Sequence, residues 1–168
     1  MAHSAEEKLH EAAKKGRASK VSTLLRDHPG INVNWTNKEQ YQWTPLHAAS
    51  NHGHVEVVKL LLAHPNIDVN LKSAGGQTPL SFAGRNGHAS VVKLLLKDPR
   101  VNITLDDDNG CTPLDWASLN GRHKVIEWFI ASGRDLGTRK ENVPLKLPEN
   151  TVEVKLCLCW RDSWLTQH

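Results

Sequence analysis

At 168 residues the chain can bury one hydrophobic core or a short array of smaller units. Apolar residues at 39% and charged residues at 23% match soluble proteins and argue against wholesale disorder, and no apolar run approaches the roughly eighteen residues of a membrane span. The net charge of +3 is mild and its Lys and Arg residues are scattered with no basic stripe, which points away from nucleic acid, while Cys111, Cys157 and Cys159 are an odd set without a disulfide framework.

The opening residues, MAHSAEEKLHEAAKKG, are charged where a signal peptide would be apolar, so the expected location is the cytoplasm, with the nucleus also open. Residues 5–34 carry Leu9, Ala12 and Gly16 and then INVN at 31–34. Residues 35–70 repeat them as Leu46, Ala49 and Gly53 with IDVN at 67–70; residues 71–104 as Leu80, Ala83 and Gly87; residues 105–137 as Leu114, Ala117 and Gly121. Thr44-Pro45-Leu46, Thr78-Pro79-Leu80 and Thr112-Pro113-Leu114 open the last three units at a common period. The first unit has one additional residue before INVN, and two more lie in the loop that follows it, WTNKEQYQW, where additions cost little.

Each unit predicts two antiparallel helices joined at the glycine. Proline fits the first helical turn, where its missing N–H is no loss, and glycine ends the first helix. The second helix carries Val57, Val58, Leu61 and Leu62, or their equivalents, on an apolar face too broad for one unit to cover. Neighbouring units must therefore stack.

This constellation of TPLH, an alanine pair, GH and a leucine run resembles the ankyrin repeat family over residues 5–137. The resemblance implies an all-α solenoid of about four stacked helix-turn-helix repeats with β-hairpin fingers, in which 5–34 is a capping repeat. Ser81 and Asp115 stand where His47 ties down its turn, so the side-chain bonds of those turns are expected to weaken. Phe82 and Trp116, in the Ala48 column, are read as core filling. His54 and His88 are expected to bond backbone between repeats.

The tail, 138–168, breaks the register. One reading is a shifted reading frame of a lost fifth repeat, because the alternative frame permits an apolar second helix; a merely divergent tail is the other. Cys157-Leu158-Cys159 lacks the second pair of a zinc site, and LDDDNG at 105–110 lacks a calcium loop's final Glu, the twelfth position being Ala117. No nucleophile elbow, P-loop or dinucleotide fingerprint occurs, so neither enzyme activity nor a cofactor or metal is expected.

The family resemblance implies a non-enzymatic monomer that binds another protein, not nucleic acid or membrane, through its concave side. Carried onto this chain, the finger tips are Gln40, Tyr41 and Trp43; Ala74, Gly75 and Gln77; Asp108, Asn109 and Cys111. The first-helix positions are Asn51 and His52, Arg85 and Asn86, Leu119 and Asn120, with Lys14 and Lys15 in the first repeat. Tyr41 and Trp43 are read as interface anchors, against the alternative that the longer loop folds Trp35 or Trp43 back onto repeat one. The resemblance also marks Asn70, in LAHPNIDVN, as a candidate for hydroxylation. A different class of function is a partner-targeting fragment of a larger enzyme, such as a ubiquitin ligase or kinase.

Overall fold

The computed structural model describes residues 4–136. The readings of the tail lie outside these residues. One layer contains α1 (Ala5–Lys14), α3 (Pro45–His52), α5 (Pro79–Asn86) and α7 (Pro113–Leu119); the other contains α2 (Ala18–Asp27), α4 (Val55–Leu62), α6 (Ala89–Lys97) and α8 (His123–Ala131). Each helix packs on its pair-mate and on the equivalent helix of the next pair, which gives a stack of helical hairpins.

The starts of the first helices follow from local chemistry. Thr44, Thr78 and Thr112 each accept the backbone N–H three residues on, and the side chain there accepts the threonine's own N–H. Ser4 and Glu7 make the same reciprocal pair at α1, so the charged opening of the chain reproduces the Thr-Pro-Leu cap by other residues. The expected weakening at Ser81 and Asp115 is corrected. Ser81 Oγ lies 3.0 Å from Thr78 Oγ1, and Asp115 Oδ2 accepts both the N–H and the hydroxyl of Thr112, at 2.9 and 2.8 Å. What changes is reach: His47 Nε2 extends 3.0 Å to the Gln77 carbonyl of the next repeat, which a short Ser cannot do and an acceptor-only carboxylate has no proton for.

The core runs continuously through the stack. Leu9, Leu46 and Leu80 are fully buried in the first layer, and Val57, Val58 and Leu61 in α4 are matched by Val91, Val92 and Leu95 in α6. Burial of one such side chain stabilises by about 2 kcal/mol. At α8 the apolar face is closed only in part, with Val125 and Phe129 buried and Ile130 39% exposed.

Polar rungs link successive pairs. Nε2 of His54 meets the Lys14 carbonyl at 3.0 Å, Nε2 of His88 meets that of Asn51 at 2.9 Å, and Arg122 Nε, in the same column, donates to that of Arg85 at 3.0 Å. On the loop side, the Asn34 amide donates to the Asn66 carbonyl and its oxygen accepts from Asp68 N–H; Asn70 does the same with Arg100 and Asn102. The fingers hold one isolated antiparallel bridge, Asn37 to Trp43, and no extended strand among the described residues.

Gly53 shows why the turn residue must be glycine. Its φ is +73°, and an added Cβ would sit 2.5 Å from Nδ1 of His88. Left-handed backbone costs a non-glycine residue about 1 kcal/mol, and the ring would have to leave its rung as well. Gly121 has φ +62° with nothing within 4 Å. Gly53→Ala is expected to lower stability by about 2 kcal/mol and Gly121→Ala by about 1 kcal/mol, as read by urea unfolding; equal losses would show that the His88 contact contributes nothing.

Candidate protein-interaction surface

The fingers line up because their backbones bond in series: the Ala74 N–H donates to the Tyr41 carbonyl at 2.8 Å, and the Asp108 N–H to the Gly75 carbonyl at 3.3 Å. Lys72 reinforces the second junction, with Nζ 2.6 Å from the Asp106 carbonyl. The first finger is longer by two residues. Its pair closes between Asn37 and Trp43, where later fingers close between Ser73 and Gln77 and between Asp107 and Cys111. The additional length is absorbed at Tyr41 and Gln42, whose φ values are +52° and +57°. Tyr41 is 74% exposed.

The other aromatics of this region are turned inward. Trp43 packs edge-on against Phe82 with centroids 4.7 Å apart, and Phe82 in turn meets His47 at 5.8 Å. Trp35 folds back onto His10 of α1, at 5.9 Å. The two sequence readings of the loop thus apply to different residues: Trp35 returns to repeat one, Trp43 packs onto repeat three, and Tyr41 projects.

Ala74, Asp108 and Asn109 are exposed at the later tips, and Gln40 and Gln77 are half-buried. Cys111 requires a correction, because it is fully buried and no contact residue of the tip. The finger curls around Asp107, whose Oδ1 accepts the N–H groups of Asn109 and Cys111 at 2.9 and 3.0 Å, and this draws Cys111 inward. Asp107 Oδ2 takes the Trp116 indole N–H at 2.8 Å and a longer contact from Gln77 at 3.5 Å. Its carboxylate is therefore a structural hub at 5% exposure.

On the first helices, His52, Arg85 and Asn120 are exposed, while Asn51, Asn86 and Leu119 are half-buried. Asn86 is tied to Asn51, its amide donating to both the carbonyl and the side-chain oxygen. The Arg85 guanidinium lies 5.1 Å over the Trp116 ring. Trp116 is half-buried, and so contributes to the surface as well as to packing. Asn70 is half-buried with both side-chain atoms engaged by the next loop. The His52 proton affinity is held down first by burial and then by His54, Lys14 and His88.

Ankyrin repeats in three copies match residues 4–73 and 66–140, well over half of the chain. The chain belongs to the ankyrin repeat family. Ankyrin repeats are generally protein–protein interaction modules, and the family is typically non-catalytic. The chain is similar to alpha-latrocrustotoxin-Lt1a of Latrodectus tredecimguttatus, 45% identical over 64 residues, which is 38% of this chain and 4% of that protein. It is also similar to osteoclast-stimulating factor 1 of Xenopus laevis, 38% identical over 69 residues, 41% of this chain and 30% of the relative. The chain thus spans less than a third of either relative. Among the described residues no helix is long and apolar enough to cross a membrane.

Two parts of this ankyrin surface escaped the sequence reading. Asp107 is not singled out within the run LDDDNG, and Trp116 is read as core filling. The signal available for both was their spacing, which places an indole N–H nine residues beyond a carboxylate at the base of one finger.

Proposed function

We propose that residues 5–137 act as a non-enzymatic, monomeric ankyrin module that binds a partner protein in the cytoplasm or nucleus across its finger tips and first helices. Tyr41 carries this reading. It is a large aromatic group, 74% exposed, on a tip whose carbonyl is anchored by Ala74, so it is rigidly presented and performs no core duty. Aromatic groups of this kind are the usual hot spots of interfaces. His52 on the same repeat and Arg85, Asp108 and Asn109 on later repeats are exposed and would supply polar contacts.

Tyr41→Ala tests the reading. The variant should keep its unfolding free energy within about 0.5 kcal/mol, since an exposed side chain is removed. Its affinity for a partner captured with the wild-type chain and identified by mass spectrometry should fall about 30-fold, measured by calorimetry, the equivalent of about 2 kcal/mol. Unchanged affinity would remove Tyr41 from the interface.

A further inference from the structure

We infer that the edge formed by the helix–helix turns docks an extended acidic polypeptide segment of the partner. This rests on the protein-binding reading and specifies its chemistry. The turns read AKKGR, NHGH, RNGH and LNGRHK. In sequence these basic residues are dispersed; in the fold the rungs from His54, His88 and Arg122 to the carbonyls of Lys14, Asn51 and Arg85 lock consecutive turns side by side. Lys14, Arg17, His52, Arg85, Arg122 and His123 then stand along one edge, all exposed except the half-buried Lys14.

Little negative charge offsets them. Glu11 is paired with Lys15 at 2.7 Å, and Glu56 with Lys59 at 2.7 Å. The His52 and His54 rings stack with centroids 5.9 Å apart, and burial, followed by the neighbouring His54, Lys14 and His88, holds down the His52 proton affinity. An approaching carboxylate would raise it and favour the charged ring. Arg85, exposed with its guanidinium carbon 5.1 Å over the Trp116 ring, has N–H groups suited to bidentate contact with a carboxylate.

The shape of the row selects the occupant. Packed helices lie roughly 10 Å apart, and an extended chain advances about 3.3 Å per residue, so every third side chain reaches a new turn. A duplex or a bilayer would cover width as well as length. Its phosphates would also approach the finger edge, where Asp106 and Asp108 are exposed.

The test uses the full chain and a fluorescein-labelled peptide of about twelve residues with glutamate at every third position, long enough to cross the turns. Anisotropy should show binding that weakens with salt. Arg85→Glu and His52→Glu should each weaken it about tenfold, and Lys38→Glu, at the finger edge, should leave it unchanged. Thermal melts verify folding, and if Arg85→Glu unfolds through loss of the Trp116 contact, His52→Glu decides. Peptide binding that ignores His52→Glu, or that is outcompeted by oligothymidylate or phosphatidylserine vesicles of equal charge, would overturn the inference. No peptide binding, in a chain whose captured partner still depends on Tyr41, overturns the acidic segment alone. Peptide binding with a partner indifferent to Tyr41 overturns the tip reading alone.

Discussion

Phe129→Ala is expected to destabilise the C-terminal helix pair by about 4 kcal/mol and to release it from the rest of the stack. Phe129 is fully buried and heads the largest enclosed side chains, so its truncation loses the transfer energy of a ring and leaves a cavity. The position magnifies the effect. Within α8 only Val125 is also buried, and the α7–α8 pair is held by contacts to α5 and α6. In a stack whose units touch only their neighbours, stability is a sum of unit and junction terms, and an end unit has one junction. Urea unfolding should therefore separate into two steps, and amide exchange should lose protection across 113–131 while α1 to α4 retain it. A single transition with uniform loss of protection would mean that the array unfolds as one cooperative block.

Acid should cost the fold about 3 kcal/mol between pH 6.5 and pH 4, with His47 as the main cause. Burial depresses its pKa from 6.5 to about 4, against a smaller opposing effect of the Gln77 and Leu71 carbonyls, and His10 adds a minor repulsion. The geometry agrees with the neutral form. Nδ1 accepts the Thr44 N–H at 3.2 Å and faces the Thr44 hydroxyl at 2.8 Å while Nε2 donates to Gln77, so a second ring proton would displace the N–H bond and force the hydroxyl to turn into an acceptor. Because the folded pKa lies below the unfolded value, the unfolded chain binds the proton first, and stability is full above pH 6.5 and lost as pH falls toward 4. His10 is shifted in the same direction by burial, and among the described residues no partner bonds either of its ring nitrogens. The depressed carboxyls, Glu6 at the start of α1, Glu11 beside Lys15 and Asp98 beside Arg100, lose their contribution as pH falls through and below their ordinary values of 4.5, 4.5 and 3.8, and so add only at the acid end of this range. Unfolding free energies measured from pH 7 to pH 4.5 should decline in the wild type and decline less in His47→Gln; parallel slopes would exclude His47 as the cause.

How much could be read in advance depended on the range of the interaction. Proline at the first helical turn, threonine before it and glycine after the helix are local backbone requirements, so the helix limits near Pro45 and Gly53 were visible in the string itself. The three additional residues between the first two glycine turns were also visible, although their result was not: the two in the loop put Tyr41 and Gln42 into left-handed backbone, and this projects the tyrosine. The burial of Cys111 depends on a carboxylate gathering the N–H groups of its own finger, which no periodicity reports. The doubt over Ser81 and Asp115 came from comparing residue types, when the turn needs only an acceptor three positions on. The basic edge was hidden because its successive turns stand more than thirty residues apart and meet only through the rungs.

Those rungs give the array interchangeable joints. A ring nitrogen from either His54 or His88, or a guanidinium from Arg122, closes the same gap over a glycine and meets the same kind of carbonyl. A joint that accepts different plugs at one spacing lets evolution duplicate or delete whole units without redesigning their neighbours, and the exposed residues beside each plug are then free to diversify.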